Sequence, residues 1–319
     1  MSAEVVTLGE AMVLLMAEQP GPLREATSFR RLVGGAEANV AVGLCRLGRT
    51  ATWVSRVGDD DFGRVVLQRL RGEGVDVSHV SVDGDAPTGL MVREQREVGA
   101  IEVLYYRRGS AASRMGPADV AEDAIRGARY LYLTGITPAL SASCRQAVFH
   151  AAEVAHAAKV LVVFDPNMRS RLWSPRKARP VMRDLATHSD IILPGIAEAE
   201  LLTGESDPLT AARSLLVLGT RRLAVVKLGD RGALAATAAG HVVEAPAAPL
   251  PRVVDPVGAG DAFAAGWLAA TLDGDDLPEA LDLAARCAAH VMSAPGDLEN
   301  LPFRRELDAA RDDPRDVRR

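Results

Sequence analysis

Strand-like apolar runs alternate with helical patterns along most of this chain, and that alternation restricts its fold more than any other feature. Strands are predicted at 5–9, 51–57, 130–134, 160–164, 191–193 and 223–228. Helices are predicted between them at 37–47, 62–73, 142–158, 175–187 and 210–218. A strand–helix–strand rhythm leads to right-handed crossovers and a mostly parallel sheet with helices on both faces. Val160-Leu161-Val162-Val163-Phe164 has no polar break, as a strand buried on both faces requires.

Two segments interrupt the rhythm. Residues from about 12 to 33 are too irregular for a covering helix and carry Pro20 and Pro22. Residues from about 87 to 113 hold alternating stretches such as Ile101-Glu102-Val103-Leu104-Tyr105 and no helical signal. Together they predict a small antiparallel sheet standing off the main one, a flap able to exclude water from a reactive site. No Ser/Gly linker or repeat divides the 319 residues, so a single domain over 1–319 is expected. Apolar residues at 48% and charged residues at 25% are those of a globular chain with a substantial core. A net charge of −5, from 37 basic and 42 acidic residues, argues against a general nucleic-acid surface. No run reaches membrane-spanning length. Cys45, Cys144 and Cys287 lie far apart without metal-ligand spacing, which suits a reducing compartment. With no basic leader before the first strand, the expected location is cytoplasmic.

The chemistry-bearing stretch is Val253-Val254-Asp255-Pro256-Val257-Gly258-Ala259-Gly260-Asp261-Ala262-Phe263. A β-branched run ends in a turn, and a small-residue helix opens behind it. Glycines there let the backbone approach a ligand, and the first N–H groups of the helix point at an anion. Asp261 sits at that mouth, where the dipole favours its ionised form and a fixed carboxylate can take the proton of an attacking alcohol. Taken alone the pattern also fits an ordinary Asp N-cap. Gly58-Asp59-Asp60-Asp61-Phe62-Gly63-Arg64-Val65 has Walker spacing, but Arg-Val replaces Lys-Ser/Thr and three acids would repel phosphate.

In parallel sheets, sites lie beyond the carboxyl ends of the strands. Gly34-Gly35-Ala36-Glu37-Ala38-Asn39, Asp165-Pro166-Asn167-Met168-Arg169 and Lys227-Leu228-Gly229-Asp230-Arg231-Gly232 all fall there. Each alone is compatible with a plain turn or cap. As an ordered set, Gly34–Ala41 near the start and Asp255–Asp261 near the end resemble the two signatures of ribokinase-like carbohydrate kinases, the PfkB family. The likeness runs from Val5 to about Pro302.

That resemblance implies a three-layer α/β/α core with a mostly parallel sheet and a small β lid. It further implies ATP as co-substrate, Mg²⁺, and transfer to a primary hydroxyl. By it Asp261 is the catalytic base, and Gly258, Ala259 and Gly260 form the anion hole. Lys227, Gly229 and Gly232, with Gly258 and Gly260, line the ATP site, and Glu198 holds Mg²⁺ through water. Gly195 stands where the family's Asn-x-x-Glu motif has Asn. Self-association into a homo-oligomer is also implied.

Within the family, Tyr105-Tyr106-Arg107-Arg108-Gly109-Ser110, Gly135-Ile136-Thr137-Pro138-Ala139-Leu140 and Asp165–Arg169 are most similar to the 2-keto-3-deoxygluconate kinases. By that match Gly35, Asn39, Tyr105, Arg107, Arg169 and Asp297 hold a keto-sugar acid, while Met91 replaces a lid Tyr. Tyr105 and Arg107 are two apart and share a strand face. If Arg169 enters from the sheet side, two guanidiniums converge on one pocket, a pairing suited to a carboxylate. The alternatives are a neutral-sugar kinase, acting on fructose or ribose for example, and a non-catalytic sugar sensor on the same fold.

Overall fold

The computed structural model describes residues 3–95, 102–219 and 222–312. From the N-terminus run β1 (Val5–Leu8), β2 (Met12–Pro20), β3 (Phe29–Gly34), α1 (Ala36–Arg46), β4 (Ala51–Gly58) and α2 (Asp61–Gly72). Next come β5 (Val80–Asp83), β6 (Leu90–Gln95), β7 (Val103–Tyr106), α3 (Glu122–Gly127), β8 (Tyr130–Thr134), α4 (Thr137–Leu140) and α5 (Ala142–Ala157). They are followed by β9 (Leu161–Asp165), α6 (Pro175–Thr187), β10 (Ile191–Ile192), α7 (Ile196–Thr203), α8 (Pro208–Leu218) and β11 (Leu223–Lys227). β12 (Ala233–Thr237), β13 (Val242–Ala245), α9 (Ala259–Asp273), α10 (Leu277–Val291) and α11 (Arg304–Asp312) complete it.

The larger sheet has nine strands in the order β13-β12-β11-β10-β9-β8-β1-β4-β5. Every neighbouring pair from β11 to β5 is parallel, as the alternation predicts. The edge made by β11, β12 and β13 is antiparallel and was not foreseen. Successive side chains of a strand take opposite faces, which divides the core into two layers. Val5 joins Trp53, Tyr132, Val163 and side chains of α1, α9 and α10 on one face. Val6 joins Leu131, Leu133, Phe164 and side chains of α5, α6 and α8 on the other. Helix α9 is apolar on all sides because it lies between α1 and α10.

The smaller sheet has the order β3-β2-β6-β7 and forms the lid. Its outer pairs are antiparallel, but its central pair, β2 with β6, is parallel, so it is a mixed sheet rather than the antiparallel one expected. Both strands of that pair enter from the core side, and such neighbours run in the same direction. Ile101 lies outside the described residues. Met12, Leu14, Met16, Leu32 and Met91 pack as a separate apolar cluster within the lid. Among the described residues no helix is long and apolar enough to cross a membrane.

Candidate active site

A cavity of about 970 Å³ opens between the lid and the carboxyl ends of the parallel strands. Met12, Leu14, Met91, Arg93, Tyr105 and Arg107 line its lid end. Gly195, Glu198, Lys227 and Gly229 line the end beyond β10 and β11. Asp261 lies between these ends, held by side chains from α1 and from the loop after β9.

The start of α9 explains that placement. Gly258 caps the helix with φ +80°, a left-handed conformation that suits glycine. Val257 N–H donates to Asp255 Oδ1 at 3.1 Å, which fixes the turn before the helix. Gly260 and Asp261 fall in the first helical turn, where N–H groups have no intrahelical acceptor. Asp261 Oδ2 accepts from Asn39 Nδ2 at 2.8 Å and Oδ1 from Asn167 Nδ2 at 3.3 Å. Burial pushes the Asp261 carboxyl above the usual carboxylate range, against the opposing pull of Asn39, Arg169, Lys227 and Asn167.

Asn39 serves two acids. Its Nδ2 also donates to Asp297 Oδ1 at 2.6 Å, so one amide bridges the two carboxyl groups. Burial and the neighbouring Asp261 push Asp297 up to about 8. Glu37, on the same turn of α1, receives the hydroxyls of Thr134 and Thr137 on Oε1 at 2.7 Å each. Its Oε2 has no hydrogen-bond partner among the described residues, and burial raises its carboxyl to about 7.

At the other end Lys227 Nζ donates to Asp165 Oδ2 at 2.6 Å. Burial opposes the charge of both groups, and each stabilises the charged form of the other. Glu198 Oε1 accepts from Met168 N–H and Oε2 from Gly195 N–H, both at 2.7 Å. Gly195 thus supplies a backbone donor at the position where Asn was expected.

Of the residues singled out from sequence, Gly35, Asn39, Tyr105, Arg107, Arg169, Glu198, Lys227, Gly229, Gly258, Gly260, Asp261 and Asp297 all line this cavity. Ala259 and Gly232 stand outside the lining. Gly232 is needed by its hairpin, since a Cβ there would lie 2.0 Å from the Ala245 carbonyl oxygen and φ is +91°. The lid-side arginine Arg107 is already engaged within the protein. Arg107 is not a free guanidinium, because Nε and Nη2 both donate to Glu10 Oε2 at 2.7 and 2.5 Å. Arg93, which sequence reasoning missed, is likewise taken up by Asp255 at 2.5 Å. Arg169 is exposed and is the one cavity-lining cation without an ion pair among the described residues. Glu10 and Arg93 gave no sequence signal, since their partners are 97 and 162 residues away.

A family model described as pfkB family carbohydrate kinase matches residues 2–304. The 2-dehydro-3-deoxygluconokinase of Bacillus subtilis (strain 168) is 41% identical over 311 residues, covering 96% of this chain and 95% of that protein. The 2-dehydro-3-deoxygluconokinase of Thermoproteus tenax is 40% identical over 308 residues, covering 95% and 93%. Among solved structures, a PfkB protein from Polaromonas sp. JS666 superposes with a TM-score of 0.88 at 42% identity, covering 97% of this chain and 100% of that one. An uncharacterized sugar kinase from Pyrococcus horikoshii in complex with ATP superposes with a TM-score of 0.82 at 26% identity, covering 95% and 96%.

Proposed function

The chain belongs to the pfkB family of carbohydrate kinases, and from that premise we propose that it uses ATP to phosphorylate the terminal hydroxyl of 2-keto-3-deoxygluconate. The relatives at 40 and 41% identity that carry this activity in their names support the reading. The nucleotide occupies the end lined by Lys227, Gly229 and Gly195, with its γ-phosphate before the first turn of α9. There the free N–H groups of Gly260 and Asp261 and the helix dipole stabilise phosphate charge. The acceptor lies under the lid, against Gly35, Asn39, Tyr105, Arg107, Arg169 and Asp297. As its hydroxyl oxygen bonds to the γ-phosphorus, the bond to the β-phosphate oxygen of the departing ADP breaks. The hydroxyl proton passes to Asp261. In a loose transition state that proton leaves late, so position outweighs base strength. Asn39 and Asn167 supply the position by holding one carboxylate oxygen each.

The donor set fits a magnesium ion carried in on the nucleotide. Among the described residues no three His, Cys, Asp or Glu side chains converge to cage a metal. Both Glu198 oxygens already take a backbone N–H, and each keeps a second lone pair for a metal-bound water. Magnesium keeps several waters and binds mainly through substrate phosphates. When bound it would neutralise charge on the transferring phosphoryl group.

Arg169 carries the choice of an acid over a neutral sugar. Among the described residues it is the cavity cation that forms no ion pair within the protein, and a carboxylate is the substrate group that matches it. The test is ADP release measured across a panel of keto-sugar acids and neutral sugars. Higher kcat/KM for 2-keto-3-deoxygluconate than for fructose or ribose is expected. Preference for a neutral sugar would overturn the acid assignment and leave the kinase.

A further inference from the structure

The chain crosses between core and lid four times, and all four crossings meet at one buried residue, Glu10, three of them at its carboxylate and one at its backbone. Glu10 itself lies on the first, between β1 and β2. The second, between β3 and α1, passes at Gly35, where a Cβ would stand 2.3 Å from the Glu10 carbonyl oxygen. The third enters β6 past Gly89, where a Cβ would stand 2.7 Å from Glu10 Oε1. The fourth leaves β7 through Arg107 and Ser110. Arg107 donates twice to Glu10 Oε2, and Ser110 Oγ donates to Oε1 at 2.6 Å.

We infer that Glu10 is a positioning residue for the sugar acceptor: it gathers the lid crossings and, by holding two nitrogens of Arg107, sets how that guanidinium meets the acceptor. The inference rests on the kinase reading of the cavity. Arg107 lines the cavity, and its bonds to Glu10 use Nε and Nη2, which leaves Nη1 for the acceptor. Its Cζ also lies over the Tyr105 ring, 5.7 Å from the ring centre, while Glu10 holds Nε and Nη2. Glu10 and Arg107 are both buried, so their pair is fixed in place rather than exchanging with water. Its neutrality also explains why Arg107 contributes geometry to the acceptor site while the free charge comes from Arg169.

The test is a double-mutant cycle on Glu10→Gln and Arg107→Ala, with KM for acceptor, KM for ATP and kcat measured in each variant. Glu10→Gln is expected to raise the acceptor KM about tenfold while kcat and the KM for ATP stay within about twofold. In the Arg107→Ala background, the second change is expected to add no further rise, because residues acting through one another are not additive. The double variant leaves no buried charge unpaired, so the comparison survives if Glu10→Gln alone does not fold. A further rise over Arg107→Ala, an equal rise in KM for ATP, or a lower acceptor KM in Glu10→Gln would each overturn the proposal. The acceptor used is whichever compound the wild type turns over best. A wild type that prefers a neutral sugar thus removes the keto-acid assignment and leaves this test standing.

Discussion

Replacing Asn39 with alanine removes the amide that bridges the two buried acids, Asp261 and Asp297. The bond from Asn39 to Asp261 favours the ionised carboxylate, so its loss moves the acid upward. A hydrogen bond to a charged group contributes about 1.5–3 kcal/mol, and a pKa unit corresponds to about 1.4 kcal/mol. The shift expected is therefore about one to two units upward. The lost bond to Asp297 adds no opposing charge, because that acid, already at about 8, is pushed further toward its neutral form. The assay is kcat/KM against pH, from about 5.5 to 9.5, for wild type and Asn39→Ala. The acidic limb should move to higher pH by that amount while the high-pH plateau approaches wild type. A limb that stays in place under a lowered plateau would refute the reasoning, since Asn39 would then order the turn without tuning the acid.

Asp261→Asn should lower kcat by about two to four decades, as for loss of a general base, with nucleotide affinity by titration calorimetry nearly unchanged. Arg169→Ala should lower kcat/KM for the keto acid by roughly one and a half to three and a half decades, and much less for fructose or ribose. Equal losses on both would assign Arg169 to phosphate binding or lid closure. Asp297→Asn should stabilise the fold by an amount that grows with pH. The Asp297 carboxyl at about 8 lies above its ordinary 3.8, so wild-type stability is greatest below the unfolded value and falls as pH rises through the folded one. Melting temperatures between about pH 4 and 8 check this, and a difference constant with pH would exclude it.

The parallel part of the sheet was legible because strands buried on both faces leave unbroken apolar runs, as at Val160–Phe164. The antiparallel edge was not. β12 reads Ala233-Leu234-Ala235-Ala236-Thr237, a composition equally at home in a helix, and β13 is largely solvent-facing. The mixed character of the lid was hidden too, since Val13 pairing with Leu90 is a long-range register that no local pattern encodes. At the site, the two glycine signatures and the strand-end polar clusters come together in one cavity because each sits beside its own strand or helix end. What sequence could not show is which charges cancel. Arg107 reads as a free cation until the fold brings Glu10 to it, and Arg93 reads as a strand residue until Asp255 arrives.

The parallel β2–β6 pair at the centre of the lid has a consequence during synthesis on the ribosome. The β2–β3 hairpin can form as soon as residue 34 has emerged, but the strand that completes its other side begins only at Leu90. At roughly 5–20 residues per second, making the intervening stretch takes about 3–11 s. For those seconds β2 carries an open hydrogen-bonding edge and the apolar side chains of Met12, Leu14 and Met16 without their later partner Met91. Unpaired edges of this kind recruit other chains. While only two of the four lid strands exist, the nascent polypeptide thus exposes its N-terminal ribbon to pairing with other chains.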